Sequence, residues 1–327
     1  SMNFKNLIKY NNQIIEGVYL FAIVSIPIVF SPEELFGFYQ LPKEFLLHFI
    51  SSILLLLLSI KIIFEPSKLI NKLNSNKLAI TSVFLLLTSF FLSSIFSVNQ
   101  LGSLFGREYG MSSNSFQTYF ALSIIFLSIF IVYENKENII KIFKSILIST
   151  SIISIVGLLQ FIAPNIFETF TFYHQTRIVS TLGNPIYFGS VLVLGIQLTM
   201  IYYLIFFKLE ERSGIKFFYP LLIISIQISS LILTLSRGPL ISFLIGFLII
   251  FISYLILCTR SFKKTIAIFL LPILFSFIII NLPTFDDDNE FFDSLVERSG
   301  SLSKDLELSI DVESGTEFLS PNSFNYR

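Results

Sequence analysis

Charge is scarce in this chain: 13% of its 327 residues are Asp, Glu, Lys or Arg, and the two signs cancel to a net charge of zero. Soluble domains carry about a quarter charged residues, which argues against a single water-soluble core. Without a basic excess, nucleic acid is not an expected partner. The one cysteine, Cys258, allows no internal disulfide, no cysteine zinc site and no dithiol redox pair. Only two histidines are present, His48 and His174. The first apolar run lacks a small-residue cleavage site and leads straight into further apolar sequence, so no cleavable secretory leader is expected.

Apolar residues are what the chain has in abundance. They make up 54% of it, 39 of them phenylalanine, and the mean hydropathy is +0.78. Crossing a bilayer as a helix takes about 20 such residues in succession. Nine segments fit: 14–30, 45–64, 78–97, 116–133, 145–163, 186–207, 218–235, 239–258 and 266–282. They are too long for barrel strands and do not alternate, so helices are the structure that satisfies the backbone in lipid. The expected fold is an all-α, polytopic membrane helix bundle over residues 1–282. Ser236-Arg237-Gly238 is nearly all that separates the seventh and eighth segments, which predicts a tight helical hairpin.

Lysine and arginine set the expected orientation. With nine spans, 15 of the 22 cations fall on one side, among them Lys5, Lys72, Lys141, Arg212 and Lys264, and 7 on the other. The richer side is the cytoplasmic one. The N-terminus is therefore expected inside and residues 283–327 outside, as the opening of a large outer loop. Asp286-Asp287-Asp288 in that tail and Glu33-Glu34 in the first outer loop read as solvated charge, not as metal sites.

The outer side is where cations are least expected, yet arginines recur there. Arg107 stands in SLFGREYG, Arg177 in TRIVSTLGNP and Arg237 in LTLSRGPL. A charge at mid-membrane costs about 2.5–3.5 kcal/mol on insertion scales, and less near the interface. Three guanidinium groups on one face suit an anion, because their planar forks match phosphate oxygens better than the point charge of lysine does. Structural readings compete at each place. Arg237 also fits a side chain snorkelling to the headgroups from a turn. Gly183-Asn184-Pro185 also fits an asparagine cap with proline at the first helical position.

RIVSTLGNPIYFGSVLVLGI followed by LILTLSRGPLISFLIG resembles the paired signature of the O-antigen ligase/polymerase superfamily of bacterial membrane glycosyltransferases. YQLPKEFLL, with Lys43, and SLFGREYGMSSNS, with Arg107 and Gly110, are similar to its first and second outer loops. The likeness runs in order through residues 15–300. It implies a multi-pass protein of the bacterial inner membrane. Such an enzyme takes a glycan from a polyprenyl-pyrophosphate carrier and joins it to a hydroxyl of lipid A core, another glycan or a protein. By matched position, Arg177 and Arg237 would hold the pyrophosphate, with Arg107, Lys43, Asn184 and Ser236 in support; Gly183 and Gly238 would serve the backbone turns. The resemblance implies no cofactor and no metal.

Members of the superfamily continue with a large outer segment carrying a histidine thought to deprotonate the acceptor. That segment would lie beyond residue 327, so the chain is expected to be C-terminally incomplete and no catalytic residue is assigned. His174, three residues before Arg177, fits either a phosphate donor or a solvated loop side chain; His48 reads as a satisfied interior residue. A polysaccharide polymerase of the same superfamily, a permease for an anionic substrate and an inactive fragment are the alternatives. The permease is disfavoured because the chain has no internal repeat and its outer arginines gather at one face instead of lining the middle.

Overall fold

A computed structural model describes residues 4–31, 39–106, 114–132, 136–163, 177–257 and 262–281. Among them there is no β-strand. The α-helices in chain order are α1 (Phe4–Ile28), α2 (Gln40–Phe64), α3 (Pro66–Ser75), α4 (Lys77–Ile95), α5 (Gln100–Phe105), α6 (Phe116–Val132), α7 (Lys136–Ile162), α8 (Pro185–Ile201), α9 (Ile215–Leu233), α10 (Arg237–Leu257) and α11 (Phe262–Ile280).

Seven of these, α2, α4, α7, α8, α9, α10 and α11, are long and apolar enough to cross a membrane, α8 being prolonged to Phe206 by a π-helical turn. They coincide with seven of the nine expected spans. The other two expected spans lie in α1 and α6. Helix α1 joins an apolar C-terminal half to a half holding Asn11, Asn12, Gln13 and Glu16, and α6 is apolar throughout but has 17 residues. The chain is thus an all-helical, multi-pass membrane protein.

Side-chain contacts fix how the helices run against one another. Asn11 donates to the Leu57 carbonyl and the Lys43 ammonium to the Val29 carbonyl, so α1 and α2 are antiparallel. Lys141 pairs with Glu16 at 2.6 Å and Ser149 Oγ reaches the Val24 carbonyl, so α1 and α7 are parallel. Gln227 and Ser230 of α9 bond to Thr150 and Ser154 of α7 in the same order, giving another parallel pair. Gly195 meets Thr150 and Gly157 meets Phe188, which sets α8 antiparallel to α7. Gly189 against Pro239 and Gly246 against Gln197 make α8 and α10 parallel. These directions alternate along the chain as successive crossings of a bilayer do.

Glycines permit the closest approaches, as expected where lipid supplies no hydrophobic drive between helices. A Cβ on Gly195 would collide with Thr150, and one on Gly189 would stand 2.9 Å from the Pro239 ring. Two apolar cores result. Helices α7 to α11 share one, around Phe188, Leu192, Ile224 and Phe269. The second, around Ile15, Ile50, Leu54 and Ile124, joins α1, α2 and α6.

Candidate functional site

Ahead of α8, residues 177–184 include one 3-10 turn, Ser180–Leu182, and Ile178, Val179, Ser180 and Thr181 are buried. Buried backbone outside an α-helix needs partners within the protein, and this segment finds them on three sides. Gln160 of α7 accepts from the Ser180 amide at 2.7 Å, and Ser180 Oγ donates to the Ile153 carbonyl at 2.6 Å. Thr181 Oγ1 donates to the Pro27 carbonyl of α1 at 2.7 Å. The Ile178 amide donates to the Leu233 carbonyl of α9 at 3.4 Å.

Arg177 opens the segment and binds the turn between α9 and α10. Its Nε donates to the Thr234 carbonyl at 2.8 Å and its Nη2 to Ser236 Oγ at 2.8 Å, with the Leu235 carbonyl at 3.5 Å. The two sequence motifs, some 57 residues apart, are therefore one structure. Bonds to neutral oxygens fix a guanidinium in place without discharging it. The turn itself is buried at Thr234, Leu235 and Ser236 and opens outward at Arg237 and Gly238, which are exposed.

Segment and turn each contain a left-handed residue other than glycine, Ser180 with φ +51° and Leu235 with φ +50°. That conformation costs an L-residue roughly 1–2 kcal/mol and persists only where surrounding contacts impose it. Here the hydrogen bonds of Gln160, Ile153 and Arg177 do so. Gly183, with φ +70°, closes the segment, and the Tyr39 ring at the start of α2 occupies the space a Cβ would take. Asn184 then caps α8, its Oδ1 accepting from the Ile186 amide at 2.8 Å with Pro185 at the first position.

Two helix N-termini thus lie side by side, α8 behind Asn184 and α10 behind Ser236, held together by the Gly189–Pro239 contact. Each carries roughly half a positive charge from its aligned peptide dipoles and favours an anion. Arg237 is the first residue of α10, where its own charge is disfavoured by that dipole. An anion at this end would relieve both.

Of the seven residues expected to bind substrate, Arg177, Asn184, Ser236 and Arg237 come together here. Lys43, on α2, has its ammonium on the Val29 carbonyl at the C-terminal end of α1. Asn184 has the capping geometry of its structural reading. Arg107 and His174 lie outside the described residues, as does the tail at 283–327. His48, expected as a satisfied interior residue, is half-buried and meets Thr118 Oγ1 at 3.4 Å. Gln160, Thr181, Thr234 and Tyr39 were not anticipated. The signals present were a lone glutamine in an apolar span and the Tyr and Thr within the quoted motifs.

The opposite end of the bundle has its own polar contacts. Tyr254 donates to the buried Glu210 carboxylate at 2.9 Å, and the Lys264 ammonium donates to the Glu210 carbonyl at 3.0 Å. Lys61, also buried, donates to Asn12 Oδ1 at 2.6 Å. No group of three or more potential metal ligands occurs among the described residues. Comparison of the chain with protein-family models, with curated proteins and with solved structures finds no match.

Proposed function

We propose that this chain is a membrane glycosyltransferase of the O-antigen ligase kind, with its donor-phosphate site at the Arg177–Arg237 junction. One observation carries the reading. Arg177 is bonded to Thr234 and Ser236, so two separate motifs form a single cationic platform at the N-termini of α8 and α10. In this reading the protein spans the bacterial inner membrane nine times, α1 and α6 included. Its N-terminus is cytoplasmic and the platform faces the outer leaflet.

The donor is a glycan on a polyprenyl pyrophosphate, and the acceptor is a hydroxyl of lipid A core, another glycan or a protein. The bond between the sugar anomeric carbon and the phosphate oxygen breaks as the acceptor oxygen bonds to that carbon. The acceptor proton passes to a base that this chain does not identify, and polyprenyl pyrophosphate leaves as the anion. Stabilising that departing charge by preorganised donors is typically the largest catalytic contribution in such sites. Arg237 and the dipoles at the N-terminal ends of α8 and α10 do this, while Arg177 holds the turn that carries Arg237.

The test is donor binding by the purified chain in nanodiscs, using polyprenyl pyrophosphate as titrant. Arg237→Ala is expected to weaken binding by about tenfold, the worth of one charge-assisted contact near 1.4 kcal/mol. Unchanged affinity would remove the phosphate site. Proteoliposomes separate the transporter alternative, since a permease would move an anionic glycan lipid with no acceptor present.

A further inference from the structure

Helix α5 carries a second surface, independent of the donor site. At about 1.5 Å per residue, the 19 residues of α4 extend roughly 28 Å, close to the thickness of the hydrocarbon layer. Residues just past Ile95 therefore sit at a membrane–water boundary. There the chain does not leave for solvent but folds back. Gln100 Nε2 donates to the Ile95 carbonyl at 2.7 Å, and Ser103 Oγ donates to Ser97 Oγ at 2.8 Å. Asn99 Oδ1 accepts from the Gly102 amide at 2.9 Å, capping α5 at its start.

These bonds turn the polar side of α5 onto the end of α4 and leave the apolar side uncovered. Val98, Leu101 and Phe105 are 109%, 72% and 62% exposed, and Phe96 beside them is 84% exposed. The spacing of four places Leu101 and Phe105 on one face of α5, and Val98 is exposed in the bend just before its cap. No charged residue occurs between Lys77 and Arg107. Left in water, such side chains forgo about 1.5–3 kcal/mol each. Phe91 and Leu92, near the end of α4, are likewise exposed. Continuity with a span, and depth at its end, identify the occupant as lipid.

We propose that α5 and the bend before it form an interfacial anchor, with Leu101 and Phe105 of α5 and Val98 of the bend seated among the acyl chains of the leaflet in which α4 ends. Amphipathic segments of this kind lie in the plane of the interface with their apolar side a few ångströms below the headgroups. The proposal rests on α4 being a span and is unaffected by failure of the glycosyltransferase reading.

The chain contains no tryptophan, so an introduced indole reports alone. Leu101→Trp and Val98→Trp, each in the full chain, would be reconstituted into phosphatidylcholine–phosphatidylglycerol vesicles. Their helicity is first matched to the parent by circular dichroism. Lipids brominated at shallow acyl positions are expected to quench both indoles several-fold more strongly than deeply brominated lipids or aqueous iodide. Two results would overturn the anchor. Efficient iodide quenching with water-like emission would place the face in solvent. Resistance to lipid and iodide alike would place it against protein, such as a second copy of the chain.

Discussion

The bond between Arg177 and Ser236 makes a quantitative claim that a double-mutant cycle can test. Arg177→Ala removes two bonds of 2.8 Å from a charged donor to neutral oxygens. Bonds to charged groups are worth about 1.5–3 kcal/mol each. Because Arg177 is half-buried, the lower part of the combined range applies, about 3–4 kcal/mol. Ser236→Ala removes one of the two and a 3.3 Å link to the Thr234 carbonyl, costing about 1–2 kcal/mol. The shared bond is lost only once in the double variant. The cycle is therefore expected to show a coupling of about 1–2 kcal/mol, within the range for residues in direct contact. Sodium dodecyl sulfate titration of the chain in mixed micelles, followed by circular dichroism, supplies the four free energies. Additivity within about 0.3–0.5 kcal/mol, the usual result for independent sites, would refute the junction.

Other positions give independent tests in the same titration. Gly183→Ala forces a methyl group into a φ of +70° and into the Tyr39 ring; a loss above about 1–2 kcal/mol is expected, with Tyr39→Ala recovering the steric part. A midpoint equal to the parent's would show that the ring is not held there. Gln227 is fully buried, with Nε2 on Thr150 Oγ1 at 2.9 Å and Oε1 unsatisfied. Gln227→Leu is expected to change stability by less than about 1 kcal/mol, because it removes an orphan acceptor along with the bond. Gln227→Ala leaves a cavity and should cost about 2–4 kcal/mol; equal costs would contradict this account. Tyr254→Phe deprives the buried Glu210 carboxylate of its 2.9 Å donor. A loss of about 1.5–3 kcal/mol is expected, and none if water replaces the hydroxyl.

The spans were legible because lipid leaves the backbone little choice: an apolar run of the right length is a helix. The short turn between α9 and α10 and the Asn184 cap were legible for local reasons, since both are settled by adjacent residues. The expected tight hairpin, however, is not formed: the turn is Thr234–Ser236, and α10 packs on α8 while α9 packs on α7 and α11. Helix α1 begins at Phe4 instead of near residue 14, because the residues that extend it are polar and hydropathy does not register them. Asn11, Asn12 and Glu16 are helical through their partners Leu57, Lys61 and Lys141, which only the tertiary arrangement supplies. The same is true of the charged start of α7 at Lys136. Helix α5 escaped notice since six residues give no period to measure. The two motifs mark segments that meet in the fold, but not the contacts between them. That Arg177 reaches Thr234, and that Tyr39 covers Gly183, are long-range facts with no sequence period.

Two arginines singled out alike by sequence therefore have different surroundings, and lysine substitution separates their roles. Arg177 spans two acceptors with Nε and Nη2, a fork that a lysine ammonium cannot reproduce. Arg177→Lys is expected to lose at least one bond, about 1.5–3 kcal/mol, and to loosen the turn that carries Arg237. Its effect on polyprenyl pyrophosphate binding is indirect and should track its effect on stability. Arg237 is exposed at the head of α10, where a charge is what a phosphate needs. Arg237→Lys keeps the charge and should keep most of the donor affinity, with Arg237→Ala losing most of it. If Arg177→Lys weakened the donor without weakening the protein, Arg177 would itself touch phosphate. The bonds it makes to the turn would then be its resting arrangement, exchanged for the anion when the donor arrives.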